Sequence, residues 1–361
     1  MDKYFMFQMM PPGKSLVMAF FSFMGYLIFP WMIHAQQALF SINGNQPDFT
    51  ISSSGKIEVV FGQKNKIFYA YSTDQGQHFS EPSLVDSLVG LHLGASRGPR
   101  IAHSQQITII SAIDKMGNVY AYKKSDKNTW IKSRVNDMPE IAKEGFNAIA
   151  ANDNKQFTII WLDLRMENKN QLMSSTSKDG GKTWQKNQWV YRSPESHICE
   201  CCQPNIIIQK QHIAIMFRNW LQGSRDMYVI ESFDGGKTYQ EARKLGFGTW
   251  PLNACPMDGG SLSFNLKGKV ETVWRRAENL YVSGVSGEEK MIGAGKNAST
   301  TVLDSGQWIV WANQGLIWLR AATSESSKSL GPGRFPIIKA INSKQAYIIW
   351  ENQGKIFGQM I

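Results

Sequence analysis

The chain has 361 residues, of which 42% are hydrophobic and 19% charged, and its formal net charge is +10. That balance supports a sizeable buried core and excludes an intrinsically disordered chain. The lysines are scattered singly along turns, without a basic stripe or run, so nucleic-acid binding is not expected and the charge leaves only a weak field favouring anionic ligands.

At the N-terminus, Lys3 and Lys14 precede an apolar run from Ser15 to Ile33 that ends in Ile33-His34-Ala35. This is the layout of a signal peptide cleaved after Ala35. The expectation is an exported chain, periplasmic or secreted, with residues 1–35 as leader and residues 36–361 as one domain. The apolar run is long enough for an uncleaved anchor as the alternative. No other segment could cross a bilayer, so no membrane span is expected in the mature chain. Loss of Asp2, Lys3 and Lys14 with the leader would lower the charge from +10 to +9.

Beyond the leader, three segments share one pattern: Ser72-Thr-Asp74-Gln-Gly76-Gln-His-Phe79, Ser177-Lys-Asp179-Gly-Gly181-Lys-Thr-Trp184 and Ser232-Phe-Asp234-Gly-Gly236-Lys-Thr-Tyr239. The second and third serines lie 55 residues apart and the first and second 105, close to twice that period. A missing copy is thus expected near position 125, where Ser125-Asp126-Lys127-Asn128-Thr129-Trp130 is a decayed version. In each copy the Asp suits a tight hairpin turn because its carboxylate bonds nearby backbone N–H groups, and the Gly accepts positive φ.

An apolar, β-prone run precedes each of these hairpins, and such runs continue after the motif fades. They are Val59–Phe61, Thr108–Ile110, Thr158–Trp161, Ala214–Phe217, Val270–Trp274, Gln307–Trp311 and Ala346–Trp350, seven in all. Short strands at even spacing, without a long amphipathic helix, predict an all-β repeat protein, a β-propeller of four-stranded blades. The last unit, Lys355–Ile361, is one strand short, and Ala38–Ile42 has no earlier partner. Pairing the two would close the ring and remove its edges. Seven blades are expected, with six as the alternative.

The three Ser-x-Asp-x-Gly-x-x-aromatic copies resemble those of the Asp-box or BNR-repeat superfamily of sialidase-like propellers. The resemblance implies the fold over residues 47–361 more strongly than any activity. Sialidases are six-bladed and use an arginine triad for the substrate carboxylate, an Asp acid/base and a Tyr nucleophile assisted by Glu. Here Gly98-Pro99-Arg100-Ile101 is similar to their Arg-Ile-Pro element, with the proline on the other side, and no Tyr–Glu pair stands out. A second resemblance is to bacterial secreted BNR-type proteins with a Cys-x-Cys-Cys-x-Pro motif followed by Cys-Pro, matched by Cys199-Glu-Cys201-Cys202-Gln-Pro204 and Cys255-Pro256.

Propeller topology places the starts of the innermost strands and the turns between second and third strands on one rim, opposite the Asp boxes. Arg100, Asp163, Arg218, Arg275 and all four cysteines fall on that rim. Arg100, Arg218 and Arg275 lack an adjacent carboxylate and are candidates for a carboxylate, sulfate or phosphate ligand, with a structural role as the alternative. Asp163 is the candidate acid/base; the alternative is that Arg165 with Asp163, like Arg225 with Asp226, ties neighbouring loops by ion pairs. Trp220 and Trp250, near this mouth, would stack a sugar ring or pack on a loop.

Three readings compete for the cysteines. Four cysteines in an oxidising compartment suggest two disulfides, yet adjacent Cys201 and Cys202 point to opposite faces of a strand and need different partners. Thiolates from Cys199, Cys201, Cys202 and Cys255, with His197 and Met257 nearby, suit copper(I) or zinc. A reactive thiol is the third reading. Three functions follow: a propeller binding an anionic small molecule or glycan, a soft metal, or both at the channel mouth; an exo-acting glycoside hydrolase of the sialidase class; or a protein-interaction scaffold with structural disulfides.

Overall fold

A computed structural model describes residues 40–283 and 288–361; the expected leader, residues 1–35, lies outside the described residues. Twenty-eight strands form seven separate four-stranded antiparallel sheets, the blades of a seven-bladed propeller. Residues 37–361 cluster as one unit. The seven apolar runs each supply the second strand of a blade, from Ile57–Gln63 in blade 1 to Ala346–Asn352 in blade 7. Their side chains are buried on both faces, as in Val59, Val60 and Phe61, because each blade is sandwiched between two others. That is why these strands read as continuous apolar runs rather than alternating ones.

The ring closes across the chain ends. Phe40–Asn43 pairs antiparallel with Lys355–Met360, with Ile42 opposite Ile356, and becomes the outermost strand of blade 7. A tilted ring pair between Phe40 and Phe79, 4.0 Å between centroids, ties this strand to the first Asp box.

The three Asp boxes are built alike. Ser177 Oγ accepts from Gly181 N at 2.8 Å and donates to Asp179 Oδ1 at 2.8 Å, while Asp179 accepts from Lys182 N and Thr183 N. Ser72 and Ser232 make the same relay. Gly76, Gly181 and Gly236 all sit at positive φ, between 76° and 86°, where a side chain would be strained. The decayed copy keeps only Ser125 bonded to Thr129.

Gly180 N donates to Lys155 O and Gly235 N to Gln211 O, so the boxes occupy the rim where the innermost strands end. The opposite rim, where those strands begin, is the mouth considered below. Single polar side chains stitch successive innermost strands there: Asp48 accepts from Ile101 N, Gln203 donates to Asn147 O, Asp258 accepts from Asn297 N and Ser299 from Ile338 N.

Candidate functional site: a channel mouth and a cysteine cluster

The innermost strands enclose a central cavity of about 530 Å³, lined at its mouth by Gln46, Arg100, Gln203, Asp258, Asn297 and Phe335. Arg100 opens the innermost strand Arg100–Ser104 of blade 2. Its guanidinium reaches over blade 3 to Gln203 Oε1 at 2.7 Å and donates to the carbonyls of Ser96 and Pro99. No carboxylate lies within ion-pair distance of it among the described residues, and burial pushes its pKa down, partly offset by Asp48.

Asp258 lies at the start of blade 5 and is almost wholly buried. Its Oδ1 accepts from Asn297 N, while Oδ2 has no hydrogen-bond partner and sits 3.7 Å from Arg275 Nη1. Burial pushes this carboxyl up to about 6, against the attraction of Arg218 and Arg275. Gly259 beside it is obligatory in size, since a Cβ there would meet the carbonyl oxygen of Gln203 at 2.3 Å.

The other candidates separate. Arg218 is buried at 2% exposure, and its guanidinium is spent on backbone carbonyls of Asp258, Arg225 and Arg275. Arg275 stands next to it, donating to Ala277 O and facing Asp258 and Glu278. Trp250 packs under both guanidinium groups, at 5.2 and 5.4 Å, and Trp220 lies over Arg225 at 4.5 Å, so both rings pack on arginine.

Asp163 is fully buried in blade 3 and does not line the cavity. It accepts from Trp161 Nε1 at 2.8 Å, from Arg165 Nε at 2.8 Å and from Arg165 Nη2 and N at 3.0 Å. Arg165 goes on to Asp137 and Asn187. The aspartate is thus the hub of a strut, as the ion-pair reading expected.

Arg225 and Asp226 both tie neighbouring segments by ion pairs, Arg225 with Glu200 and Asp226 with Lys244 Nζ at 3.4 Å. Asp226 accepts from Thr249 and Trp250 N, whereas Arg225 turns inward to Cys199 Sγ at 3.0 Å and to both oxygens of Glu200 at 3.2 and 3.3 Å.

The loop before blade 4 brings three cysteines together. Cys199 Sγ lies 3.7 Å from Cys201 Sγ and 3.4 Å from Cys202 Sγ, and all three side chains are buried. No disulfide is present; all four cysteines are free, so the two-bridge arrangement is not what the chain forms here. The neighbouring thiols, and then the Arg218 guanidinium, hold the Cys199 thiol far below its ordinary value, while the same contacts push Cys201 up and burial pushes Cys202 up. These contacts single out Cys199 as the thiol most readily ionised, and Arg225 Nη1 meets its Sγ at 3.0 Å. Cys255 is exposed and does not join these three; it meets Cys201 and Glu200 in a second set whose donor atoms lie within 4.8 Å of one another. His197 faces Glu195 O and stacks on Trp220.

Sequence reasoning gave no role to Glu200 or Asp258. The only signal for either was position: Glu200 lies inside the Cys-x-Cys-Cys motif, and Asp258 three residues after Cys255.

Residues 160–269, from the second strand of blade 3 into blade 5, match the BNR repeat-like domain. No curated protein matches the chain. Among solved structures, the BP39L lectin from Burkholderia pseudomallei superposes with a TM-score of 0.64 at 9% identity, covering 89% of this chain and 96% of the lectin. A streptogramin B lyase gives 0.57 at 12% identity, with 90% and 98% covered. The Hadza microbial sialidase Hz136 gives 0.53 at 16% identity, with 88% of this chain but 65% of the sialidase covered. At these identities the shared property is the propeller fold.

Proposed function

We propose that this chain is an exported propeller that holds a soft metal ion, copper(I) or zinc, at Cys199, Cys201 and Cys202 beside its channel mouth. The observation that carries the reading is the mutual spacing of three buried thiols. Metal–sulfur bonds of about 2.3 Å in tetrahedral geometry separate two sulfurs by about 3.8 Å, and the cluster has 3.4 and 3.7 Å. Thiolate donors favour soft or borderline ions over calcium or magnesium. Three thiolates would leave a univalent ion with net negative charge, and Arg225 and Arg218 stand where they would balance it.

The test is metal analysis with a free-thiol count on protein purified without chelator or reductant. About one copper or zinc per chain, lost in Cys202→Ser, is the expected result, because a three-thiolate site loses a ligand it cannot replace. Metal-free protein that fails to take up either ion would overturn the reading.

A second reading concerns the cavity. Arg100, with no carboxylate within ion-pair distance among the described residues, and Asp258, whose Oδ2 accepts no hydrogen bond and stands 3.7 Å from Arg275, both line it and favour an anionic or hydroxyl-rich ligand such as an acidic glycan. The fold likeness to a lectin and a sialidase supports carbohydrate as the class. Binding of a sialoside that Arg100→Ala abolishes would support it; hydrolysis of that sialoside would extend it to the glycosidase class.

A further inference from the structure

The mouth carries two overlapping donor sets. The buried one is Cys199, Cys201 and Cys202; the accessible one is Glu200, Cys201 and Cys255, and Cys201 belongs to both. Among the four thiols only Cys255 is exposed. Its Sγ lies 3.7 Å from Glu200 Oε1, on a loop that Pro256 stiffens and that approaches the cluster from blade 5. Arg225 bonds one donor of each set, Cys199 Sγ and the Glu200 carboxylate, so a single guanidinium balances charge on both.

We propose that Glu200, Cys201 and Cys255 form an exposed exchange site, which accepts a soft cation from a thiol-bearing carrier and hands it through Cys201 to the buried set. The inference rests on the metal-binding reading above. A carrier's thiolate cannot reach a buried cluster, whereas an exposed thiol can form the shared intermediate in which carrier and acceptor both hold the ion. Transfer then proceeds by ligand replacement without any change of oxidation state. On loading, Cys201 and Cys255 pass their protons to the carrier thiolates they displace; Cys199 and Cys202 then replace Cys255 and Glu200, one of their protons going to the departing Cys255 sulfur and the other to solvent.

The experiment follows copper(I) delivered as its glutathione complex to the full chain, read by the thiolate-to-metal charge-transfer absorbance in stopped flow, with the bound ion counted at equilibrium. Cys255→Ser is expected to slow loading by about tenfold, equivalent to about 1.4 kcal/mol in the barrier, while the count stays at that of the wild type. Glu200→Gln should slow it less. Equal loading rates for Cys255→Ser and wild type would overturn the exchange site and leave the buried site standing. Loss of the bound ion in Cys255→Ser would also overturn it, since Cys255 would then be a fixed ligand. A wild-type chain that takes no copper at equilibrium would fail the metal-binding reading itself.

Discussion

Replacing Asp163 by alanine tests whether the aspartate braces the fold or performs chemistry. The substitution removes the acceptor for Trp161 Nε1 and for three donors of Arg165, and leaves a guanidinium of 13% exposure with only Asp137 and Asn187. Breaking one side of a buried pair costs about 3–5 kcal/mol. Unfolding entropy of about 2.1 cal/mol/K per residue, over the unit spanning residues 37–361, amounts to about 0.7 kcal/mol/K. The melting midpoint should therefore fall by about 6 °C in differential scanning calorimetry. Asp163→Asn keeps one acceptor oxygen but turns an amide N–H toward the guanidinium, and should lose roughly half as much by the same scale. An alanine variant that melts with the wild type would refute the bracing argument. If it also lost an activity that the wild type shows, the aspartate would be a reacting group.

Asp258→Asn should alter the pH dependence of stability. The folded carboxyl sits at about 6, pushed up by burial, against about 3.9 unfolded. The folded state therefore binds more protons between those values, and this group's contribution to stability falls as pH rises from about 4 to about 6. The asparagine variant should gain on the wild type across that window in parallel denaturant titrations; a constant difference would count against the buried carboxyl. Ser177→Ala leaves Gly181 N–H without its acceptor and removes one of the donors to Asp179, a loss of about 1–3 kcal/mol, measurable by urea unfolding; a neutral result would mean that water replaces the relay. Gly259→Ala forces a Cβ against the Gln203 carbonyl and should cost at least about 1–3 kcal/mol, shifting the segment next to Cys202. If its stability and metal count both match the wild type, the close approach of blades 4 and 5 is not required.

The fold was legible because its signals are local and repeated. Each Asp box writes its turn within eight residues through one serine, one aspartate and at least one left-handed glycine. Each sandwiched second strand is apolar without interruption, and the unmatched Ala38–Ile42 segment pointed to the closing strand that Phe40–Asn43 provides. The turns and apolar runs depend on neighbours in the chain, so the sequence alone carried strand order and rim and favoured seven blades over six, a choice that the pairing of the chain ends decided.

The site was legible only as a rim. Four arginine-bearing loops and four cysteines were placed at one mouth, but charge and residue type do not say which partner a long side chain reaches. Arg218 was spent on carbonyls, Asp163 on Arg165, and Arg225 passed over adjacent Asp226 to reach Cys199 and Glu200, 26 and 25 residues away. The Arg225–Glu200 pair and the approach of Cys255 to Glu200 and Cys201 join different loops, at distances set by how the blades pack. Sequence determined that the cysteines share a loop cluster; only the tertiary structure decided that three are buried in contact and that the fourth stays exposed beside Glu200 and Cys201.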